Sequence, residues 1–81
     1  MDYSIHYDAE LNTTELHCPQ PIIKTKLEMG QLELGQILLV IASDPSFHID
    51  CNVFIRQAGH DLLQSWDAGG EYYFLLRKGT K

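Results

Sequence analysis

Residues 37–45 read Ile-Leu-Leu-Val-Ile-Ala-Ser-Asp-Pro (ILLVIASDP). The run from Ile37 to Ala42 is apolar at every position, and it is bounded by Gly35 before it and Ser-Asp-Pro after it. A short run of this kind predicts a central strand covered by neighbours, since a strand with one wet face would alternate. Asp44-Pro45 then predicts a helix start, with Asp as N-cap and Pro at the first helical position. Phe47, Cys51, Phe54, Ile55 and Ala58 follow at i, i+4, i+7, i+8 and i+11, which is one face of a helix over 45–58, closed by Gly59. A buried strand that hands over directly to an amphipathic helix places the chain in the α/β classes.

The flanking segments complete the pattern. Tyr3, Ile5, Tyr7, Ala9 and Leu11 alternate with Ser4, His6, Asp8 and Glu10, predicting a half-buried strand over residues 3–11 that ends at the polar Asn12-Thr13-Thr14-Glu15. Pro19 to Gly30 reads as a helix with Ile22, Ile23, Leu27 and Met29 as its apolar stripe and Gly30 as its stop. Residues 60–66 and 71–77 read as two strands joined by Asp67-Ala68-Gly69-Gly70 as a hairpin. The order β-α-β-α-β-β implies a two-layer α/β sandwich, a four-stranded mixed sheet with both helices on one face. On the other face, Tyr73 and Leu75 are expected to contribute to an exposed patch. With 81 residues and no linker or repeat, the chain is expected to be one domain over residues 1–81.

Charge and composition narrow the function. Six basic residues against eleven acidic ones give a net charge of −5, which opposes direct nucleic-acid binding and suits a protein partner with a basic face. No apolar run approaches the ~18 residues that span a bilayer, and Met-Asp-Tyr-Ser lacks the basic start of a signal peptide, so a cytoplasmic chain without a membrane partner is expected. Cys18 and Cys51 have no CxxC spacing and are too few for a secreted disulfide framework.

The chemistry concentrates in Leu-His-Cys-Pro-Gln-Pro-Ile-Ile, residues 16–23. Cys18 stands just before a helix start, where unpaired amides and the macrodipole favour negative charge. Pro19 and Pro21 stiffen the turn, and the residue before each is pushed out of the α region. Such a position suits a nucleophilic sulfur. A plainer reading, a small half-buried residue at an ordinary Pro-started helix, accounts for the same local pattern. No nearby second cysteine could resolve a disulfide, so a single reactive thiol fits sulfur carriage through a persulfide better than dithiol redox chemistry.

The chain resembles the TusA/SirA/YedF family of small bacterial sulfur-carrier proteins over about residues 11–79. Cys18-Pro19-Gln20-Pro21 matches the Cys-Pro-x-Pro motif, and Ala42-Ser43-Asp44-Pro45 matches the family's strand-to-helix junction. Asp50, Gly59-His60-Asp61-Leu62 and Leu76-Arg77-Lys78-Gly79 match later segments. The resemblance implies the same two-layer fold and a sulfurtransferase-type carrier in which Cys18 accepts a persulfide sulfur. The donor would be a cysteine desulfurase or a similar protein, and the sulfur would pass to a downstream acceptor protein, as in thiolation of tRNA or molybdenum cofactor assembly. No cofactor is implied. The family usually reads Asp-x-x-Gly ahead of x-x-Cys-Pro, whereas this chain has Asn12 and Glu15 at those positions. A carboxylate at Glu15 would oppose a thiolate if it lay close, and its side chain would crowd a docking surface.

The remaining candidates have competing readings. Cys51 lies on the apolar stripe of the second helix and reads as core. His17, beside the thiol, could assist it as an imidazolium, although adjacent residues usually point apart. His17, Cys18, His48, Cys51 and His60 match no zinc spacing, so no metal is expected. Asp44 is explained by capping alone. Asp50 and Lys24 read either as solvated helix positions or as a partner surface, with Lys26 beside Lys24. The alternative to a carrier is a regulatory or interaction module with the same fold and no sulfur chemistry. A redox enzyme ranks last, for want of a dithiol or cofactor motif.

Overall fold

The computed structural model describes residues 6–79. Its elements are β1 (Ala9–Thr13), α1 (Gln20–Gln31), β2 (Ile37–Ala42), α2 (Phe47–Ala58), β3 (Asp61–Ala68) and β4 (Glu71–Arg77). The sheet order is β1-β2-β4-β3, with β1 parallel to β2 and β4 antiparallel to both of its neighbours. The uniformly apolar segment is therefore an inner strand, as its composition required.

The two faces of β2 serve two clusters. Leu38, Val40 and Ala42 point into the main core with Ile22 and Met29 of α1, Phe47, Cys51 and Ile55 of α2, and Phe74 and Leu76 of β4. Both helices thus lie on one face of the sheet, and Phe47 meets Phe74 edge-on at 5.0 Å between ring centroids. Leu39, Ile41 and Leu75 form the second cluster with Ile37, Leu63, Trp66 and Tyr73, all from strands. Leu75 is buried and Tyr73 is half-buried, stacked on Trp66 at 5.2 Å. The expected patch at these two residues is therefore largely closed.

Several boundaries move. The first strand is Ala9–Thr13 rather than 3–11, because pairing with β2 runs on to Thr13↔Ala42. The polar Thr13 extends the strand inward, buried with its hydroxyl donating to the Ile41 carbonyl at 2.8 Å. Residues 3–5 of the expected strand lie outside the described residues. The first helix starts one residue after Pro19 and runs through Gly30, with Leu32 as its C-cap, so Gly30 is not its stop. Its buried face is Pro21, Ile22, Thr25 and Met29. Ile23 and Leu27, rotated about 145° and about 175° from the middle of that face at ~100° per residue, are exposed. Thr25 tolerates burial because its hydroxyl donates to the Pro21 carbonyl at 2.8 Å. The second helix begins at Phe47, two residues later than expected, behind a turn in which the Phe47 amide donates to the Asp44 carbonyl. In the hairpin, β3 reaches Ala68, leaving Gly69-Gly70 at φ 60° and 84° as a two-residue turn that favours glycine at both positions.

Candidate functional site

Cys18 is exposed in the loop between β1 and α1, and residues from the β2–α2 segment hold it in place. The Ser43 hydroxyl donates to the Thr14 carbonyl, tying the two loops together. Four residues on, the Cys18 amide donates to Asp44 Oδ2 at 2.8 Å. The other oxygen of Asp44 accepts from the Ser46 amide at 3.0 Å and the Ser46 hydroxyl at 2.9 Å. These bonds, the one from Cys18 foremost, hold the Asp44 carboxyl below its ordinary range. Asp44 is not the N-cap expected of it, since α2 begins at Phe47 with Ser46 as its N-cap; it instead fixes the backbone of the thiol across 26 residues of sequence. The Cys18–Pro19 peptide bond is cis.

The sulfur is held from the opposite side. Cys18 Sγ donates to Asp50 Oδ2 at 3.5 Å, and Asp50 sits in the first turn of α2, where helix geometry fixes its direction. Between the helices a groove of about 270 Å³ starts at Cys18 and Pro19. Ile22 and Lys26 of α1 and Asp50, Val53 and Phe54 of α2 form its walls. Phe54, expected in the core, is half-buried because one side of it faces this groove, and Lys26 Nζ lies 5.9 Å from its ring centroid.

Comparison with known proteins fits this arrangement of an exposed Cys-Pro-x-Pro thiol at a helix start. The family model described as sulfurtransferase TusA matches residues 9–78. The chain belongs to the TusA sulfurtransferase family. It is 39% identical over 72 residues to the sulfur carrier protein TusA of Allochromatium vinosum, covering 89% of this chain and 95% of that protein. To the putative sulfur carrier protein YrkI of Bacillus subtilis it is 42% identical over 72 residues, covering 89% and 96%. To TusA of Pseudomonas putida strain W619 it is 39% identical over 71 residues, covering 88% and 89%.

Within this TusA-family chain the other candidates separate. Glu15 and Lys24 do not line the groove of Cys18; both lie on a neighbouring depression with Asn12, Thr14 and Leu16. Glu15 needs no glycine-like backbone, since no non-glycine residue among those described has positive φ. Asn12 takes over the turn with its side-chain oxygen, which accepts from the Thr14 amide at 2.9 Å and the Thr14 hydroxyl at 2.7 Å. His17 is exposed and its carbonyl accepts from the Gln20 amide, while the sulfur's partner is Asp50. Pro19 is the N-cap residue of α1 and Pro21 lies in its buried first turn. Cys51 is buried in the main core, where desolvation pushes its thiol up to about 12. Among the described residues no group of three His, Cys, Asp or Glu side chains could hold a metal ion. No described helix is long and apolar enough to cross a membrane.

Ser43 was missed by sequence reasoning, and Asp44 and Asp50 were given lesser parts. The signal for Ser43 and Asp44 was the matched junction Ala42-Ser43-Asp44-Pro45, and that for Asp50 was its own match in the second helix. Capping explained Asp44 locally and drew attention away from the longer-range contact.

Proposed function

We propose that this chain is a sulfur carrier whose working residue is Cys18. A persulfide donor, such as a cysteine desulfurase, presents its outer sulfur, and the Cys18 sulfur attacks it. The donor's S–S bond breaks, its inner sulfur leaves as a thiol, and Cys18 becomes a persulfide. An acceptor protein then attacks the outer sulfur of that persulfide and Cys18 returns to a thiol. No oxidant or reductant is consumed. The whole chain acts as one domain of this kind in the cytoplasm, and its net charge of −5 favours donors and acceptors with basic faces. Thiolation of tRNA is the kind of pathway it would supply.

The observation that carries the reading is the contrast between the two thiols: Cys18 is exposed at an open groove and held at both N–H and Sγ, and Cys51 is buried. The names of the relatives as sulfur carriers support it. Incubation with a cysteine desulfurase and cysteine, followed by intact mass, tests it. The expected result is a gain of about 32 Da per sulfur, lost in Cys18→Ser and retained in Cys51→Ser. Absence of that gain on Cys18 would leave an interaction module as the better reading.

A further inference from the structure

We propose that Asp50 is the proton acceptor for Cys18 during sulfur loading and the proton donor during unloading. This rests on the carrier reading above. When the Cys18 sulfur attacks a donor persulfide, its proton must leave as the new S–S bond forms. Cys18 Sγ lies 3.5 Å from Asp50 Oδ2, within hydrogen-bonding reach of a thiol donor. That carboxylate can take the proton as the bond forms and deliver it to the inner sulfur of the donor as the donor's S–S bond breaks. The sum is thiol plus persulfide giving persulfide plus thiol, with every atom and electron accounted for. In unloading, Asp50 takes the proton of the attacking acceptor thiol and passes it to the Cys18 sulfur as the acceptor withdraws the outer sulfur. One carboxylate therefore serves both directions, as a carrier requires.

The other charged groups around the thiol are differently engaged. Asp44 grips the Cys18 amide with one oxygen and Ser46 with the other. Lys26, further along the groove, sits over the Phe54 ring. Asp50 also has the better scaffold: its amide donates to the Ser46 carbonyl at 3.2 Å within the helix start, so the carboxylate is presented from a rigid element while Asp44 anchors the opposite side of the cysteine. A solvated helix position would have no reason to meet the sulfur.

The test is the rate of sulfur loading from glutathione persulfide, followed by intact mass between about pH 6 and pH 9, for the wild type and Asp50→Asn. A lost proton acceptor slows Asp50→Asn by about tenfold or more near pH 6.5, and the gap closes towards pH 9 as hydroxide removes the proton instead. Equal or faster loading by Asp50→Asn near pH 6.5 would overturn the proposal, because the carboxylate would then merely oppose the thiolate. A slowing of the same size at every pH would overturn it too, assigning the loss to altered shape. Unreactive Cys51 towards iodoacetamide shows that a variant is folded, and Asp50→Ser provides a second side chain without a carboxylate. If the wild type itself takes up no sulfur, the carrier reading fails; if it loads and Asp50→Asn keeps pace, only the role of Asp50 fails.

Discussion

The Asp44 carboxylate accepts the Cys18 amide at 2.8 Å, so the loop that carries the thiol is tied to the start of the second helix as well as to its own. The first helix offers no side-chain cap at Pro19, and the second helix segment supplies the missing order. The bond has a titration signature. Asp44 is held below its ordinary value of 3.8, first by the Cys18 amide and then by Ser46. A depressed carboxyl contributes stability that is present above the unfolded value and lost as pH falls through the lower folded one. The Cys18 amide resonance should therefore titrate with a midpoint below 3.8. In Asp44→Ala the same amide should exchange with solvent markedly faster at neutral pH. A Cys18 amide insensitive to both changes would mean that the contact is not kept in solution.

The two cysteines should separate cleanly in reactivity. Cys51 is 1% exposed and its thiol is pushed up to about 12, whereas Cys18 is exposed. Iodoacetamide at about pH 8 should place one label on the folded protein and two after denaturation, with mapping to Cys18 first. Cys51→Ser should destabilise by about 1–3 kcal/mol, since a hydroxyl enters a core with no assured partner. A second label on the folded wild type would contradict the buried assignment.

How much of this was legible depended on whether the cause was local. The inner strand was readable because burial on both faces demands an apolar residue at every position of 37–42. The second helix was readable from its 3.6-residue spacing. The first helix misled, since Ile23 and Leu27 look like stripe residues until Pro21 and Ile22 set the rotation and Thr25 satisfies its own hydroxyl. The register shift between Leu62 and Gln64 was marked only by the adjacent pair Leu62-Leu63. Cys18 was legible from its helix-start position. Its two carboxylate partners were not, because 26 and 32 residues separate them from it and only the packing of α2 beside α1 brings them together.

Glu15 should matter less to the sulfur than its sequence distance implies. It lies on the depression that includes Lys24, away from the groove that begins at Cys18. Glu15→Gly should leave the alkylation rate of Cys18 at pH 7 within about twofold of wild type, because an exposed charge directed elsewhere is screened by solvent and salt. A marked acceleration would bring Glu15 back to the thiol.

Gly79 closes the fold against the second helix. A Cβ built there would overlap the carbonyl oxygen of Gly59, the left-handed C-cap of α2 at φ 79°. Backbone cannot yield as a flexible side chain does, so Gly79→Ala should cost at least about 1–3 kcal/mol. Urea denaturation should show a lower midpoint with little change in slope. An unchanged midpoint would mean that the two glycines are not in contact. The matched segments Gly59-His60-Asp61-Leu62 and Leu76-Arg77-Lys78-Gly79 thereby find a structural reason, to which Lys78 adds by donating to the Met29 carbonyl near the end of the first helix at 2.6 Å.

The same corner contains a pH-sensitive contact. His60 Nδ1 accepts the Gly79 amide at 2.9 Å, and its ring meets Phe54 edge-on at 5.2 Å. Burial, followed by the charge of Lys78, lowers its pKa from 6.5, against a smaller opposing pull from Asp61. A base with a lowered folded value binds fewer protons folded than unfolded, so stability rises with pH across the interval between the two values. The contribution is therefore complete above about pH 7, declines as pH falls below 6.5, and is gone beneath the folded value. Protonation also turns Nδ1 from acceptor to donor and removes the Gly79 bond. Urea midpoints at about pH 7.5 and pH 5.5 measure the effect, and the wild type should lose stability over that interval. His60→Asn, which has a side-chain oxygen to accept the amide and no titrating ring, should lose less. Both proteins share the same carboxylates, so their titration cancels in the comparison. Equal losses in the two proteins would show that the pH dependence arises elsewhere.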